Sequence, residues 1–413
     1  MSMSDDLSAG FEDVETQYRS YLIRKILFIV VFVIGCIVVA GISLTFNGRG
    51  IGFTDCYRYV IDHLLGATYE FRSPEWFDDY VLWNTYMPRI VIAIISGSGL
   101  AVCGVIMQSV LANPLADPYT TGVSDGATLG ATVAIITGLT FSNAAGSMGI
   151  VTNAFIGAII PAIILILLSS AVRMSPATCI LVGTAMSGIF SGVQTLLTYS
   201  TDAERLTAAL RWGIGSFNQI SWDACIVPFI VTLIGVLIAI YLHKGLNLLT
   251  MGDNSAKSLG LNVERFKAVC MMVTAVVAAA IVCYVGIIGF VGLIAPHMVR
   301  MVLGGDNKYV IPASMLTGSF LLLFSDLLSR VLIYPDELRV GLIMSVIGAP
   351  IFLYMIVRRK KGYGEVFRWG SASLRGLKNR MWRSSTATSS RASACSSWCS
   401  PPSPSSARSA ACS

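Results

Sequence analysis

The sequence predicts an all-α polytopic membrane protein with ten transmembrane helices. Three observations support this fold class: the composition, a series of long apolar runs, and the placement of basic residues between those runs. Of the 413 residues, 54% are hydrophobic and only 13% are charged, whereas about a quarter of the residues in soluble domains are charged. A surface with so few charges would aggregate in water, so most of it must face lipid. An ordinary soluble enzyme is therefore excluded.

The apolar runs supply the individual spans. Crossing about 30 Å of hydrocarbon takes roughly 20 apolar residues in a helix. Nine runs have about this length, and one further run is shorter. In chain order the predicted spans are 26–46, 88–111, 121–139, 148–172, 178–199, 224–242, 268–288, 290–303, 309–333 and 339–357. The first 25 residues are too long and too acidic for a signal peptide, so the first span is expected to remain as an anchor.

Basic clusters decide the topology. They are Arg19, Arg24 and Lys25 before the first span, Arg173 after the fourth, Lys244, Lys257, Arg265 and Lys267 after the sixth, and Arg358, Arg359, Lys360 and Lys361 after the last. With a cytoplasmic N-terminus, all these clusters fall inside only if the short run 290–303 also crosses. The prediction is ten crossings with both termini cytoplasmic, a cytoplasmic segment 1–25, an extracellular loop 47–87 and a cytoplasmic loop 244–267.

Catalytic, metal and cofactor sites are not expected. The three histidines are far apart in sequence and lack acidic or cysteine companions at ligand spacing; they are His63, His243 and His297. The stretch most similar to a phosphate-binding loop, Met251–Ser258, has Ala256 where a glycine is needed before Lys257. The chain therefore has no predicted nucleotide site of its own.

Small and ionisable residues within the spans indicate a transporter rather than a simple anchor. Gly122, Gly126 and Gly130 recur at four-residue spacing, which favours close helix packing, with the lining of a path as the alternative. Prolines are expected to kink or break spans; they are Pro161, Pro296, Pro312 and Pro350. The ionisable residues at depth are Asp125, Arg300, Asp326 and Arg330. Asp326 and Arg330 share one helix face and can neutralise each other.

Two blocks of sequence carry a family resemblance. The first runs "MPRIVIAIISGSGLAVCGVIMQSVLANPLADPYTTGVSDGATLGA" from Met87 to Ala131. The second runs "GIIGFVGLIAPHMVRMVLGGDNKYVIPASMLTGSFLLLFSDLLSR" from Gly286 to Arg330, and "ELRVGLIMSVIGAPIFLYMIVRR" closes it at Arg359. In their order and spacing they resemble the FecCD family of ABC-importer permeases, which serves vitamin B12, iron-siderophore and haem uptake. The resemblance covers roughly residues 26–361 and implies the type II ABC-importer permease fold.

Several motif residues have a physical reading beside the resemblance. Pro114 and Pro118 stop the second span from continuing, so "NPLADP" is predicted to be a rigid turn, with plain chain reversal as its simplest role. Gly289, Gly292, Pro296 and His297 are expected to break the chain between the seventh and eighth spans, and His297 to serve as a turn or packing residue. The structural motif residues are Gln108, Asn113, Pro114, Pro296, His297, Gly348 and Pro350.

The loop 244–267 is the longest polar insertion between spans, and it predicts two short helices, one of which includes Ser255–Leu261. A solvated loop is the alternative. In the resembled family this stretch docks on the ATP-binding subunit, which here implicates Ala256, Leu259 and Gly260 in ATPase coupling. The resemblance also places a cytoplasmic gate at Ser175, Pro176 and Ala177.

The resemblance implies that arginines at the outer face meet acids on a substrate-binding protein. Arg89 and Arg330 match those positions, with contact to lipid phosphate as the alternative. The sequence departs from the family pattern twice, because Tyr86 replaces a common arginine and Arg339 replaces a common proline. The second change could add a docking charge or leave the tenth span with an ordinary N-terminus.

The C-terminal segment 362–413 has a different composition. From residue 371 onward it has 15 serines, six basic residues and no acid. Such a segment cannot bury enough apolar surface to fold, so it is predicted to be disordered, and we interpret it as an out-of-frame or artificially added extension. Without its six basic residues the chain has 23 basic and 23 acidic residues. The net charge of +6 therefore gives no reason to expect a nucleic-acid partner.

The sequence thus predicts a transport permease subunit, not an enzyme. Its expected partners are a second copy of itself, two ABC ATPase subunits, a substrate-binding protein and the lipid bilayer. Its expected cargo is an iron chelate, haem or cobalamin, carried across a bacterial plasma membrane. The alternative is a secondary transporter driven by an ion gradient.

Overall fold

The computed structural model describes residues 3–357 apart from 47–49, 142–146, 170–175, 219, 334–335 and 356; for residues 3–22, 169 and 176 it describes the backbone alone. The described residues form helices and connecting turns. The helices are α1 Met3–Thr45, α2 Phe53–Leu64, α3 Pro74–Val81, α4 Met87–Val110, α5 Val123–Thr137, α6 Ser147–Ser169, α7 Pro176–Tyr199, α8 Ala203–Gly213, α9 Trp222–Tyr241, α10 His243–Thr250, α11 Asp253–Ser258, α12 Val263–Val285, α13 Val291–Leu303, α14 Asn307–Val331 and α15 Val340–Met355. A π-helical turn, Leu82–Tyr86, joins α3 to α4.

The apolar helices confirm the predicted fold class. Within the described residues, seven helices are long and apolar enough to cross a membrane, and α5, α13 and α15 are shorter apolar helices. Together they coincide, in chain order, with the ten predicted spans. The predicted boundary after residue 25 is not a helix end, because α1 runs without interruption from Met3 to Thr45.

Helix α4 lies at the centre of the bundle and α7 at its edge. In the most apolar part of Pro74–Val110, 89% of the residues are buried, against 11% in Ala177–Tyr199. α4 packs against α14, α12, α9 and α13. Its sequence permits this because it is apolar or small on all sides, which is typical of a buried helix.

Glycines mark the places where helix backbones touch. A Cβ atom at Gly97 of α4 would overlap the carbonyl oxygen of Gly318 in α14. Gly126 of α5 meets Gly157 of α6 in the same way, and Gly130 meets the backbone of Asn153. The packing interpretation of the α5 glycines is thus confirmed, since close backbone approach is what small residues allow in lipid.

Replacing Gly97 with alanine should destabilise the fold by about 1–3 kcal/mol, because the obstructing atoms are backbone and cannot move aside. The matched control is Gly188→Ala in α7, where the added Cβ would have no atom within 4 Å. There the gain in helix propensity should leave stability unchanged or slightly raised. Equilibrium unfolding in mixed detergent micelles measures both variants, and equal stability of the two would contradict the close-packing argument.

Candidate functional site

The "NPLADP" motif forms a tight turn after α4. Ala112 has a positive φ of 45°, and the side chain of Asn113 accepts a hydrogen bond from the Leu115 N–H at 3.0 Å. Asp117 then caps a 3₁₀ turn, Pro118–Thr121, by accepting from the Tyr119 N–H at 3.0 Å. These local bonds fix the direction in which the chain enters α5.

The break between α12 and α13 includes Gly289, as predicted, but not Gly292, Pro296 or His297. It occurs at Gly286 and Phe290, which have φ values of 76° and 68°, whereas Pro296 and His297 lie inside α13. The prediction that Pro296 breaks the chain is therefore wrong. The glycine backbone at 286 ends α12, and the buried His297 ring packs edge-on near Phe352, at 6.4 Å between ring centroids.

A glutamine from α4 compensates for the proline in α13. Pro296 has no N–H to donate to the carbonyl of Gly292, four residues earlier. Gln108 fills this gap, because its Nε2 donates to the carbonyls of Gly292 and Leu293 at 3.4 Å each. A Cβ at Gly104 would overlap the same Gly292 carbonyl. The two resembling blocks thus meet each other at one helix crossing.

The last two motif residues lie in α15. A Cβ at Gly348 would come within 2.9 Å of the Phe290 Cβ, so glycine is needed where α15 passes the break before α13. Pro350 is exposed within the same helix.

The loop after α9 holds the predicted coupling residues in three different environments. Ala256 of α11 is fully buried, Leu259 is 63% exposed, and Gly260 has a φ of 87°. Two short helices are present, as expected, but α11 ends at Ser258 rather than continuing to Leu261, because the left-handed Gly260 turns the chain. The exposed leucine therefore lies at the tip of a structured turn.

Two ion pairs hold α11 against α12. Lys267 Nζ lies 2.7 Å from Asp253 Oδ2, and its side chain is only 3% exposed. Lys257 Nζ lies 2.7 Å from Glu264 Oε1 on the surface. The first pair resists loss of the contact, since separating it would leave the buried Lys267 ammonium group without a compensating charge. α11 and α12 are thus expected to move as one body.

Asn247 links the loop to the start of α14. Its Nδ2 donates to Asp306 Oδ1 at 2.8 Å, and its Oδ1 accepts from the Asn307 N–H at 2.8 Å. Partial burial by itself would raise the pKa of Asp306, but hydrogen bonds from Asn247 and the Lys308 N–H lower it below its ordinary value. The link is therefore present at neutral pH and weakens only when the pH falls through this lowered pKa.

The same contact extends to α13 and α4. Arg300 Nη2 donates to Asn307 Oδ1 at 2.9 Å and to Ser109 Oγ at 3.1 Å. A continuous set of polar contacts thus joins α10, α14, α13 and the end of α4. The sequence analysis missed Asn247 and Asn307, and the only signal for them was that polar residues flank the spans there.

At the opposite end, four charged side chains form a network, and three of them, Arg89, Asp326 and Arg330, are buried. Arg89 Nε lies 2.8 Å from Asp326 Oδ1, and Arg330 Nη2 lies 3.1 Å from Asp326 Oδ2. Arg89 also pairs with Glu337 at 2.8 Å. Arg330 Nη1 donates to the carbonyl of Ser43 at 3.0 Å. The network joins the ends of α1, α4 and α14 to the segment before α15.

Two of the three predicted docking arginines are buried in this network. The side chains of Arg89 and Arg330 are 6% and 4% exposed, so each already has an internal partner. The Tyr86 ring lies 5.5 Å from the Arg330 guanidinium, so the residue that departs from the family pattern belongs to the same cluster. Arg339 is more exposed and donates to two backbone carbonyls at the C-terminal end of α8, those of Arg211 and Ile214. Docking stays a prediction for all three.

The predicted gate lies partly outside the described residues. Ser175 falls outside them, Pro176 begins α7, and Ala177 is exposed. The C-terminal segment 362–413 also lies outside them. No outcome is therefore assigned to either prediction.

Helix α7 carries an exposed stripe of small residues that the sequence analysis did not separate from ordinary packing glycines. Thr184, Gly188, Ser191 and Thr195 are all exposed and recur on one helix face. Asp125 of α5 accepts a hydrogen bond from Ser187, on the neighbouring side of α7. The stripe is thus a small, mildly polar surface on a helix whose large exposed residues, Tyr199 at its end apart, are aliphatic.

Known proteins similar to this chain are membrane transport proteins. Residues 25–358 match the FecCD transport family. The hemin transport system permease protein of Yersinia pestis is 34% identical over 281 residues, which cover 68% of this chain and 84% of that protein. The vitamin B12 import system permease protein of Vibrio cholerae is 32% identical over 313 residues, which cover 75% of this chain and 92% of that protein.

One solved structure is similar over most of the chain. It is described as a metal-chelate type ABC transporter in an inward-facing conformation. Its TM-score is 0.68 at 29% identity, with 80% of this chain and 98% of that chain covered.

Proposed function

The chain belongs to the FecCD transport family, and we propose that it is the membrane-spanning subunit of an importer that carries an iron chelate, haem or cobalamin across the bacterial plasma membrane. Family membership makes it a multi-pass permease of the ABC type rather than an enzyme, and implies ATPase partners and a dimeric assembly. The observation that carries the proposal is the loop 244–267, which exposes Leu259 and is held to α12 and α14 by an ion pair and hydrogen bonds.

The loop has the properties that transmission of an ATPase movement requires. Leu259 offers an exposed apolar contact, while the ion pair between the buried Lys267 and Asp253 ties α11 to α12. Asn247 ties α10 to the start of α14. A rigid-body shift of the loop would thus reach the spans directly, and it needs only different contacts with the open and closed ATPase. We assign Ala256, Leu259 and Gly260 to this coupling role.

The path for the cargo is proposed to follow α7 at a two-fold axis between two copies of the chain. The small exposed stripe of Thr184, Gly188, Ser191 and Thr195 supports this, because small residues give lipid little apolar contact but let a second helix or a cargo come close. Such a surface suits a large cargo that must pass without tight binding. Ser175, Pro176 and Ala177, at the start of α7, are proposed as the cytoplasmic gate.

A substrate-binding protein is proposed to dock at the end that carries Arg89, Arg330 and Arg339. Of these, Arg339 is the more accessible. This end is then the outer one, the coupling loop is cytoplasmic, and both termini are cytoplasmic, in agreement with the positions of the basic clusters.

The proposal is tested by uptake into proteoliposomes that contain the chain with its ATPase and binding protein. We expect accumulation of a radiolabelled chelate, haem or cobalamin that requires ATP and stops when the ATPase is left out. Thermal-shift screening of the binding protein selects the cargo for this assay. Uptake that is driven by an ion gradient with no ATPase present would overturn the proposal in favour of a secondary transporter.

A further inference from the structure

A cavity of about 440 Å³ lies at the same end of the bundle as the Arg89 network. It is bounded by the end of α8, the turn after α8, the end of α12 and the segment before α15. Its lining includes the polar and aromatic side chains of Arg211, Trp212, Asn218, Tyr284, Glu337 and Arg339. We call it the arginine cavity. Its volume is in the range of small-molecule sites.

The walls of the arginine cavity are held by backbone hydrogen bonds. The Gly215 N–H donates to the Ile287 carbonyl at 2.9 Å, and the Ser216 N–H donates to the Val285 carbonyl at 2.8 Å. The Gly341 N–H donates to the Gly215 carbonyl at 2.9 Å. The turn after α8 is thus fastened to both α12 and α15, so the cavity is already formed and a ligand need not organise it.

Two guanidinium groups lie together at this cavity. Arg339 Nη1 donates to the backbone carbonyls of Arg211 and Ile214 at 2.6 and 3.1 Å, which places its guanidinium beside the Arg211 backbone, and both arginines line the cavity. The Arg211 charge repels that of Arg339. Arg211 is exposed, and among the described residues its side chain has no hydrogen-bond or ion-pair partner. A negative ligand group would relieve this repulsion.

The acidic residue in the lining is not available to neutralise these arginines. Glu337 pairs with Arg89 at 2.8 Å, and Arg89 and Arg330 share Asp326. That network contains two positive and two negative charges, so it is balanced by itself. Arg211 and Arg339 therefore remain as a surplus of positive charge beside a preformed cavity.

We infer that the arginine cavity receives the carboxylate groups of the cargo, which makes a carboxylate-bearing metal chelate the substrate class. The inference rests on the proposed import function and narrows it. A planar guanidinium donates two parallel hydrogen bonds to a carboxylate, and neutral chelates without an anionic group gain nothing from the pair. The position is suitable for entry, because α8 directly follows α7, which carries the stripe proposed as the path.

The test measures binding of ferric citrate to the assembled importer in lipid nanodiscs, without the binding protein, by isothermal titration calorimetry. Arg211→Gln should weaken binding about tenfold or more, since a charge-assisted hydrogen bond contributes about that factor. Arg211→Gln/Arg339→Gln should weaken it further, and Arg339→Lys, which keeps the charge, should retain more affinity than Arg339→Gln. Arg58→Gln, which removes an exposed arginine from α2, is the matched control and should leave binding unchanged.

Arg339→Gln could fail to fold because it removes two hydrogen bonds to backbone carbonyls. Arg211→Gln removes no described hydrogen bond, so its ferric citrate affinity decides the test in either case. Equal ferric citrate affinity in Arg211→Gln and the native chain would overturn the inference, and so would the absence of binding to the native chain. Weakened docking of the binding protein with unchanged ferric citrate affinity would also overturn it, since the carboxylate would then come from that protein. ATP-driven uptake of a hydroxamate chelate that is equal in both chains, together with no ferric citrate uptake, overturns the inference but leaves the import function standing. If the native chain shows no ATP-dependent uptake of any of these chelates, the import function itself is overturned.

Discussion

Replacing Asp326 with alanine is expected to destabilise the folded chain by about 3–5 kcal/mol, the usual cost of removing one partner from a buried ion pair. The side chain of Asp326 is 1% exposed, and it accepts from both Arg89 and Arg330. Without it, two buried guanidinium groups would face each other, and only Arg89 would keep an acidic partner, Glu337. Equilibrium unfolding in mixed detergent micelles measures the loss.

Two comparisons make this prediction specific. Asp55→Ala removes the same kind of side chain from an exposed pair with Arg58 at 3.8 Å, and such pairs contribute only about 0–1 kcal/mol. Asp326→Ala/Arg330→Met should lose less stability than the sum of its single changes, because the second change removes a charge that the first leaves unpaired. A loss for Asp326→Ala no larger than that for Asp55→Ala would show that the network does not hold the helix ends together.

The ten apolar helices could be predicted because each is a local property of the chain. A run of apolar residues has to be helical to satisfy its backbone in lipid, whatever its neighbours do. The helix ends were less predictable. Pro296 was expected to break the chain, but α13 continues through it. Gln108 donates to the Gly292 carbonyl, 184 residues away in the sequence, which the proline leaves without a partner. Sequence periodicity contains no information about that contact.

In the candidate sites, too, local contacts could be predicted and contacts between distant residues could not. The Asp326–Arg330 pair could be predicted, since residues four apart share a helix face. Its third member, Arg89, is 237 residues away, so its role as an internal partner could not be read from spacing. The same holds for Arg211 and Arg339, which are 128 residues apart at their contact. These contacts depend on how helices pack, which the local pattern does not determine.

Replacing Leu259 with aspartate should lower ATP-driven uptake about tenfold to a hundredfold without unfolding the chain. The side chain is 63% exposed, so the change should alter stability by no more than about 0.5 kcal/mol. Burial of one leucine at a protein contact contributes about 1.5–3 kcal/mol, and aspartate would in addition place an unpaired charge in that contact. Because Leu259 lies at the tip of the turn after α11, this loss should fall on ATPase binding.

Leu65→Asp is the matched control for this prediction. Leu65 follows α2 in the loop predicted to lie on the opposite side of the membrane, and it is 80% exposed, so the same chemical change is made at a distance from the ATPase. Co-purification of the ATPase should be lost for Leu259→Asp and retained for Leu65→Asp, with unchanged thermal unfolding in both. If Leu259→Asp retained the ATPase but lost uptake, the leucine would transmit movement rather than supply affinity. If it retained both, the coupling role assigned to Leu259 would be wrong, because no other exposed apolar side chain lies between Ser258 and Val263 in the described structure to replace it.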